Sequence, residues 1–287
     1  MARSILAAGR RLRQFRPQIV VGVGGYGTVP PVLAARAMGV PYVLLEQNAR
    51  PGRANRLLAS GAERIYVQWA QARSHFPGAG AKVVVTGSPL RTRVRRIPRT
   101  EALGKFGLPG ELPTLAVVGG SQGAEILNRG VPDSLDGTAR QLQIIHVAGP
   151  GNVEAVRDQY RSRGARAAVV EFVSEMDALY SAADLLISRA GAMAIAEIAA
   201  LEVPSVLVPI ARSSGDHQRE NARALARAGG AILVEERECA RGSLTEILRR
   251  LARRDPSLAE MGPRLRPFSH PGAAQSILDS LREVVGT

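Results

Sequence analysis

The sequence predicts an α/β protein with two Rossmann-like domains, the first of them incomplete. Short apolar, β-branched runs alternate with helical patterns, these runs fall into two series, and an irregular stretch separates the two series. Strands that are apolar throughout are typical of parallel sheets covered by helices on both faces. With 287 residues, 45% of them hydrophobic, the chain is long enough to form two cores.

The first series contains four candidate strands. They are Ile19–Val23, Tyr42–Leu45, Arg64–Val67 and Lys82–Val85. A helical pattern over Ser4–Gln14 precedes them, and another covers Val29–Met38. A Rossmann domain normally begins with a strand and a glycine-rich turn. Because this chain starts on a helix, we expect the first sheet to lack its opening strands.

The second series contains six candidate strands with helical patterns between them. The strands are Thr114–Val118, Gln143–Val147, Ala167–Val170, Leu185–Ser188, Ser205–Val208 and Ala231–Val234. The helical patterns are Ala124–Leu135, Val153–Arg163, Ala192–Leu201 and His217–Ala228. This strand–helix alternation predicts a second doubly wound sheet.

Two irregular stretches indicate the domain boundaries. Ser88–Arg99 contains two prolines and five arginines, and Gly262–Pro271 contains three prolines. A last amphipathic helix follows at Ala273–Val285. We therefore predict a partial first domain over 1–88, a second domain over 89–271, and a C-terminal helix within 272–287 that packs back on the first domain. Joined sheets of this kind enclose a cleft between their carboxyl edges, where ligands bind.

The positive charge lies almost entirely in the first third of the chain. Residues 1–100 hold 17 Lys and Arg against 2 Asp and Glu, a net of +15, whereas the whole chain has +13. Such asymmetry favours a polyanionic partner, either an anionic membrane surface or a phosphorylated substrate. A basic surface without a partner is the alternative. We predict no nucleic-acid binding, because this region has few aromatic residues for base stacking.

The residue inventory excludes several kinds of site. Cys239 is the only cysteine, which rules out an internal disulfide and a cysteine-based metal site. No cluster of metal-ligand residues occurs, and His75, His146 and His270 have no serine or carboxylate at triad spacing. We therefore expect neither a metal nor a cofactor. No apolar run is long enough to span a bilayer.

Glycine-rich turns follow the first strand of each series. They are Gly24-Gly25-Tyr26-Gly27 and Gly119-Gly120-Ser121-Gln122-Gly123. Each precedes a helical pattern, where free backbone N–H groups and the helix dipole favour a phosphate. Neither matches a dinucleotide-binding or P-loop motif. A tight turn without a ligand is an equally good reading of either one alone.

A third candidate site is the segment from Ser188 to Glu197. It follows an apolar strand and opens a helix, so its start can hold a diphosphate. Glu197 lies about two turns into that helix, where a carboxylate can accept hydrogen bonds from ribose hydroxyls. A solvated surface glutamate is the alternative. His217 is a weak candidate for a catalytic base, since a lone histidine at a helix start is more often simply polar surface.

Six motifs in order resemble the MurG family of GT-B glycosyltransferases, which act in peptidoglycan synthesis. The resemblance runs from about Pro17 to the C-terminus. The motifs are Gly24-Gly25-Tyr26, Glu46-Gln47-Asn48, Gly87-Ser88-Pro89-Leu90-Arg91, Gly119–Ala124, Ser188–Glu197 and Asp216-His217-Gln218 to Asn221. Their order is specific, although no single motif is.

The resemblance implies a GT-B fold and an inverting, metal-independent transfer. N-acetylglucosamine would pass from UDP-N-acetylglucosamine to lipid I, the undecaprenyl-diphosphate-linked muramyl pentapeptide, forming lipid II for cell-wall biogenesis, cell shape and division. The enzyme would be peripheral, on the cytoplasmic face of the cell membrane. Implied donor contacts are Asn48, Arg91, Ser121, Val173, Ala192, Met193, Ala194, Ile195, Ala196, Glu197 and Gln218. Gly24, Gly25 and Tyr26 would form the acceptor diphosphate loop.

This chain departs from the family pattern at its N-terminus. MurG-like proteins begin with a strand and a glycine-rich loop whose histidine is the usual candidate for the base, and neither is present here. The catalytic base is therefore unassigned, and we hypothesise a truncated N-terminus. The alternatives are a non-catalytic remnant that binds UDP-sugar, and another GT-B enzyme such as a glycolipid synthase or a sugar 2-epimerase. Glu46-Gln47-Asn48 and Gly119–Ala124 argue against the last.

Overall fold

The computed structural model describes residues 1–92, 94–211, 214–239 and 242–286. The chain divides into two compact units. The first comprises residues 1–90, 214–220 and 270–287, and the second comprises 91–213 and 221–269. Each unit is an α/β layer structure with one parallel sheet, so the predicted α/β class with two parallel sheets is confirmed.

The first unit contains a sheet of four described strands in the order β1-β2-β3-β4. The strands are β1 Val20–Gly22, β2 Tyr42–Glu46, β3 Ile65–Val67 and β4 Val83–Val85. The helices are α1 Ala2–Phe15, α2 Val29–Ala37, α3 Arg53–Leu58 and, at the C-terminus, α13 Ala273–Val285. All the strand pairs are parallel, so the four strands end at one carboxyl edge.

The C-terminal helix completes the core of the first unit. Ile277 of α13 packs with Val43, Leu45 and Tyr66 of the sheet. The Tyr66 hydroxyl also donates a hydrogen bond to the Ser280 hydroxyl at 2.9 Å. Residues from the far end of the chain therefore cover one face of the first sheet.

The second unit contains a sheet of six described strands in the order β10-β9-β8-β5-β6-β7. The strands are β5 Thr114–Val118, β6 Gln143–Val147, β7 Arg166–Val170, β8 Leu185–Ser188, β9 Ser205–Leu207 and β10 Ala231–Leu233. The helices are α4 Arg99–Gly104, α5 Glu125–Asp133, α6 Val153–Ser162, α7 Met176–Ala182, α8 Ala192–Ala200, α9 His217–Arg227 (its first turn counted with the first unit), α10 Glu236–Cys239, α11 Ser243–Ala252 and α12 Pro256–Ala259. The strands are apolar and fully buried at most positions, which is why they form an interior parallel sheet.

One polar cluster lies inside the second core. His146 on β6 is fully buried, with Nδ1 2.7 Å from the Tyr160 hydroxyl and Nε2 3.0 Å from Asn128 Oδ1. The Asn128 amide also donates to the Ala148 carbonyl at 3.0 Å. Burial lowers the pKa of His146 to about 3, so the ring is neutral in the folded protein.

Candidate active site

The first unit contains a cavity of about 350 Å³ beyond the carboxyl ends of β1 and β2. Gly24, Gly25 and Tyr26 form one wall, after β1. Both glycines adopt left-handed backbone angles, with φ of 87° and 74°, and Tyr26 is 80% exposed. The Thr28 hydroxyl donates to the Gly24 carbonyl at 2.6 Å and fixes this turn. Ligands of open parallel sheets bind at this edge.

A buried carboxylate shapes the second wall, after β2. Glu46 is only 4% exposed and accepts four hydrogen bonds. They come from the Asn48 N–H and the Asn48 amide at 3.0 Å each, from the Gly52 N–H at 2.8 Å and from the Asn55 amide at 3.0 Å. Glu46 therefore holds the loop around the cavity, and Asn48 is positioned by it.

Three arginines give the cavity its charge. Arg50, Arg53 and Arg56 line it, and all three are exposed. Among the described residues, none of these guanidinium groups forms an ion pair or a side-chain hydrogen bond. The acid in the wall, Glu46, is already engaged by the loop. The cavity is therefore strongly positive and suits a phosphate-bearing ligand.

His217 lies at the same cavity, at the start of α9. Its Nδ1 is 2.9 Å from the Arg50 carbonyl oxygen. Because a carbonyl only accepts, Nδ1 carries a proton and donates this hydrogen bond. The neighbouring Asp216, at φ 57°, accepts hydrogen bonds from the Arg219 guanidinium at 3.0 and 3.2 Å.

The second unit has its own candidate site at the carboxyl edge of its sheet. Starting from β5, the next strand in sequence lies on one side and β8 lies on the other, so the strand order reverses between β5 and β8. Val118 and Ser188 are register partners at the ends of these two strands. The loops that follow them hold Ser121 and the segment 189–191. A topological switch point of this kind is where ligands of open α/β sheets bind.

The glycines after β5 are required by close packing. Gly123 has φ 73°, and a Cβ there would lie 2.1 Å from the Ala148 carbonyl oxygen. Gly149 packs against the same turn from the other side, where a Cβ would lie 2.5 Å from the Gly123 nitrogen. The turn therefore has little freedom, and it leaves Ser121 exposed at the sheet edge.

The start of α8 is open. Gly191 has an ordinary φ of −63°, and a Cβ there would meet no protein atom within 4 Å. No side chain of the described residues caps the helix. The glycine is therefore not needed by the fold, and its absent side chain leaves the first N–H groups of α8 accessible to an anion.

Only some of the predicted α8 residues are accessible. Ile195 and Ala196 are 0% and 4% exposed and face the core, whereas Met193 is 41% exposed. Ala192, Ala194 and Glu197 are half-buried. The Tyr180 hydroxyl donates a hydrogen bond to Glu197 Oε2 at 2.9 Å.

Arg189 of the second site is already paired. Its guanidinium lies 2.7 Å from Glu236 Oε1 and donates to the Val208 carbonyl at 3.1 Å. The buried Asn221 amide donates to the Ala190 carbonyl at 3.1 Å. These contacts fix the loop between β8 and α8.

The remaining predicted contacts lie in both units. Val173 is half-buried after the carboxyl end of β7, and Arg91 is exposed at the start of the second unit. Gln218 lies in the first turn of α9, which belongs with Asn48 to the first unit. Thus Gly24, Gly25, Tyr26 and Asn48 share one cavity, while Ser121, Val173 and Ala192–Glu197 share one sheet edge. Their roles as ligand contacts stay a prediction.

Sequence reasoning missed two features of these sites. Arg50, Arg53 and Arg56 recur every third residue just after Glu46-Gln47-Asn48, which could have indicated a common face. Tyr180 carries no such signal, because it reads as an ordinary apolar position of α7. The residues described contain no group of three His, Cys, Asp or Glu placed to hold a metal ion.

Two domain families match the chain. Residues 1–67 match the glycosyltransferase family 28 N-terminal domain, and residues 114–277 match the family 28 C-terminal domain. A curated relative from Bacillus subtilis is 37% identical over 276 residues, covering 95% of this chain and 76% of the relative. It is named UDP-N-acetylglucosamine--N-acetylmuramyl-(pentapeptide) pyrophosphoryl-undecaprenol N-acetylglucosamine transferase. A relative of the same name from Ectopseudomonas mendocina is 39% identical over 292 residues, covering 99% and 78%.

Solved structures give the same relationship. The crystal structure of MurG from Acinetobacter baumannii matches with a TM-score of 0.80 and 31% identity, covering 97% of this chain and 78% of that chain. The S. aureus MnaA–UDP structure matches with a TM-score of 0.70 over 99% and 80% of the two chains, but at 14% identity it shows the fold alone. The chain therefore belongs to glycosyltransferase family 28, and within that family to the MurG group.

Proposed function

We propose that the chain is a hexosyltransferase that moves N-acetylglucosamine from UDP-N-acetylglucosamine to undecaprenyl-diphosphate-linked N-acetylmuramyl pentapeptide. In this reaction the bond between the sugar and UDP breaks. A hydroxyl of the muramyl sugar forms the new glycosidic bond and loses its proton, and UDP leaves with the electron pair. The relatives from Bacillus subtilis and Ectopseudomonas mendocina are named for this activity. Their alignments cover 95% and 99% of the chain at 37% and 39% identity.

The donor half of the proposal rests mainly on one observation. The open start of α8 and the tight turn after β5 lie on either side of the switch point in the second sheet. We assign the diphosphate to these backbone N–H groups, the ribose to Glu197 and the uracil to the backbone of Val173. The helix dipole and the loop N–H groups then stabilise the charge that develops on the leaving UDP.

The acceptor half rests on the cavity of the first unit. Its left-handed glycines and three exposed arginines offer N–H donors and positive charge to the diphosphate of the acceptor. Asn48, Gln218 and Arg91 are proposed as donor contacts on the family resemblance alone.

We also propose a peripheral partner, the anionic surface of the membrane, and no nucleic acid. Helix α1 supports the first part, because Leu6 and Phe15 are 67% and 80% exposed beside Arg10, Arg11 and Arg13. In the described part of the chain, no helix is long and apolar enough to cross a bilayer. Sedimentation with phosphatidylglycerol vesicles, compared with phosphatidylcholine vesicles and with duplex DNA, tests this part. We expect binding to the anionic vesicles alone.

A transfer assay with UDP-N-acetylglucosamine and a short-chain lipid I analogue tests the main proposal. We expect turnover that persists with EDTA, and a thermal shift of the chain by UDP. Glu197→Ala should lose most of the UDP shift, whereas Glu101→Ala, which changes an exposed glutamate of α4, should keep it. Binding without turnover would favour the non-catalytic UDP-sugar binder, and no UDP shift in the unmutated chain would contradict the donor site.

A further inference from the structure

Tyr180 lies behind the proposed donor site without reaching its surface. The residue belongs to α7, is 2% exposed, and has the Glu197 carboxylate as the partner of its hydroxyl, at 2.9 Å from Oε2. Tyr180 thus cannot touch a ligand, but it contacts the side chain proposed to do so.

The direction of this hydrogen bond is fixed by chemistry. Burial raises the pKa of Tyr180 well above its usual value of 10, and the Glu197 carboxylate raises it further. The hydroxyl therefore stays protonated at neutral pH and acts as the donor, while the carboxylate accepts. A charge-assisted bond of this kind restricts the rotation of a glutamate side chain that has several accessible rotamers.

Helix α7 is itself held at its C-terminal end. The Arg96 guanidinium donates to the Tyr180 carbonyl at 2.9 Å, and Arg99 donates to the Ala182 carbonyl at 2.7 Å. The Ile97 N–H donates to the Ser181 hydroxyl at 3.1 Å. Cations at a helix C-terminus satisfy carbonyls that have no partner within the helix. The stretch predicted as a linker thus anchors the helix that carries Tyr180.

We propose that Tyr180 is a positioning residue for donor recognition: its hydroxyl orients Glu197 so that the carboxylate meets the ribose hydroxyls of the nucleotide. The inference rests on the proposed donor site and adds a residue that selects ribonucleotides through Glu197. Removing the hydroxyl leaves Glu197 in place but takes away one of the contacts that orient its carboxylate, so the ribose bonds form less often.

Tyr180→Phe tests this inference, because it removes one oxygen and keeps the ring. The readout is the ratio of affinities for UDP and its 2′,3′-dideoxy analogue, measured by calorimetry. In the unmutated chain we expect UDP to bind about tenfold to a hundredfold tighter, the range for charge-assisted hydrogen bonds. In Tyr180→Phe the ratio should fall by about threefold to tenfold, with the affinity for the dideoxy analogue unchanged.

Two further variants separate positioning from a structural role. Glu197→Asp draws the carboxylate away from the Tyr180 hydroxyl and should lower the ratio as Tyr180→Phe does. Adding Tyr180→Phe to Glu197→Ala should lower it no further, because the hydroxyl acts only through that carboxylate. In turnover, Tyr180→Phe should raise the KM for UDP-N-acetylglucosamine and change kcat by less than about twofold.

The outcomes distinguish this inference from the function on which it rests. If the unmutated chain does not bind UDP, both the proposed donor site and the proposed role of Tyr180 are wrong. If it prefers UDP and Tyr180→Phe keeps the full preference, only the role of Tyr180 falls. An equal loss of affinity for both nucleotides, or a fall in kcat alone, would likewise show that Tyr180 supports the fold and not the recognition of ribose.

Discussion

The two units differ in the charged and polar groups found at the carboxyl edge of each parallel sheet. In the first unit, Arg50, Arg53 and Arg56 line the cavity, and no ion pair engages them among the described residues. In the second unit, Arg189 is bound to Glu236, and the site offers uncapped N–H groups instead. A phosphate can thus be attracted by exposed side-chain charge or by fixed backbone dipoles. Attraction by the exposed arginines should weaken as the salt concentration rises, because ions screen their charge. Binding by backbone N–H groups depends instead on the close packing that holds the turn and the helix start in place.

The largest expected difference between the units is in acid stability. His146 in the second core has a pKa of about 3, against about 6.5 in an unfolded chain, so below pH 6.5 the unfolded chain binds a proton that the folded chain does not. The stability from this residue is complete above pH 6.5 and is lost as the pH falls towards 3. We expect a loss of about 4 kcal/mol over that window.

The only tryptophan makes this difference measurable. Trp69 belongs to the first unit and is buried. Near pH 4, urea unfolding monitored by circular dichroism, which reports on both units, should begin at a lower urea concentration than unfolding monitored by the fluorescence of Trp69, which reports on the first unit. His146→Gln should flatten the pH dependence of the circular dichroism midpoint. An equal pH dependence in that variant would contradict the role of the histidine.

The next largest effect is in the glycine turns. Gly123→Ala should destabilise the protein by about 3 kcal/mol, because φ is 73° and the new Cβ would clash with the Ala148 carbonyl. Gly25→Ala has nearly the same φ, 74°, but open space around it, and should cost only about 1 kcal/mol. Urea unfolding measures the loss of stability in both variants. Equal losses would show that the strained backbone angle, and not the clash with Ala148, sets the cost of an added Cβ.

Gly191→Ala is the matched variant for ligand binding. With φ at −63° and no neighbouring atom, it should leave stability unchanged within about 0.5 kcal/mol. UDP affinity should still fall, because the new methyl group lies over the start of α8. Unchanged UDP affinity would contradict the assignment of the diphosphate to the start of α8.

The last expected difference in stability is between the arginines of the two units. Arg189→Gln should cost about 2 kcal/mol, because it removes the ion-pair partner of the partly buried Glu236 and leaves that carboxylate with the hydrogen bond from the Ala211 N–H. Arg53→Gln should cost nothing measurable, because it removes an exposed charge near two others. Arg53→Gln should instead weaken the binding of farnesyl diphosphate, used as a short probe for the isoprenyl diphosphate of the proposed acceptor, and reduce the salt dependence of that binding. A stability loss in Arg53→Gln equal to that in Arg189→Gln would contradict the difference between the sites.

The long, periodic elements were predictable, and the reason is burial. Strand β5 and helix α13 were predicted at their observed ends, Thr114–Val118 and Ala273–Val285, because the strand is apolar after its first residue and the helix has a regular amphipathic pattern. The six-residue helices α3 and α4 were not predicted, since they hold too few residues to show a helical period. Tertiary contacts fix such short elements, and a single sequence does not show those contacts.

The candidate sites were likewise predictable only where a local sequence pattern marks them. Glycine turns and the start of α8 were visible in the sequence because they follow strands directly. The buried face of α8 was not separated from its accessible face, so Ile195 was grouped with Glu197. Glu46 was visible in the sequence only as the first residue of the Glu46-Gln47-Asn48 motif, and nothing there showed that its carboxylate is buried and holds a loop. Hydrogen bonds between distant residues, such as Tyr180 to Glu197, depend on how helices pack and leave no local pattern.

The packing of α13 on the first sheet has a consequence for biosynthesis. Tyr66 and Ser280 are separated by 214 positions, and Ile277 fills the same core as Val43. A ribosome releases Val43 long before it has made Ile277, whereas nearly all of the second sheet emerges as one stretch. The second unit can therefore fold during translation, while the first must wait with one apolar face open until the last helix is made. During that interval the nascent chain offers the cell a target for chaperones and proteases that the finished protein no longer presents.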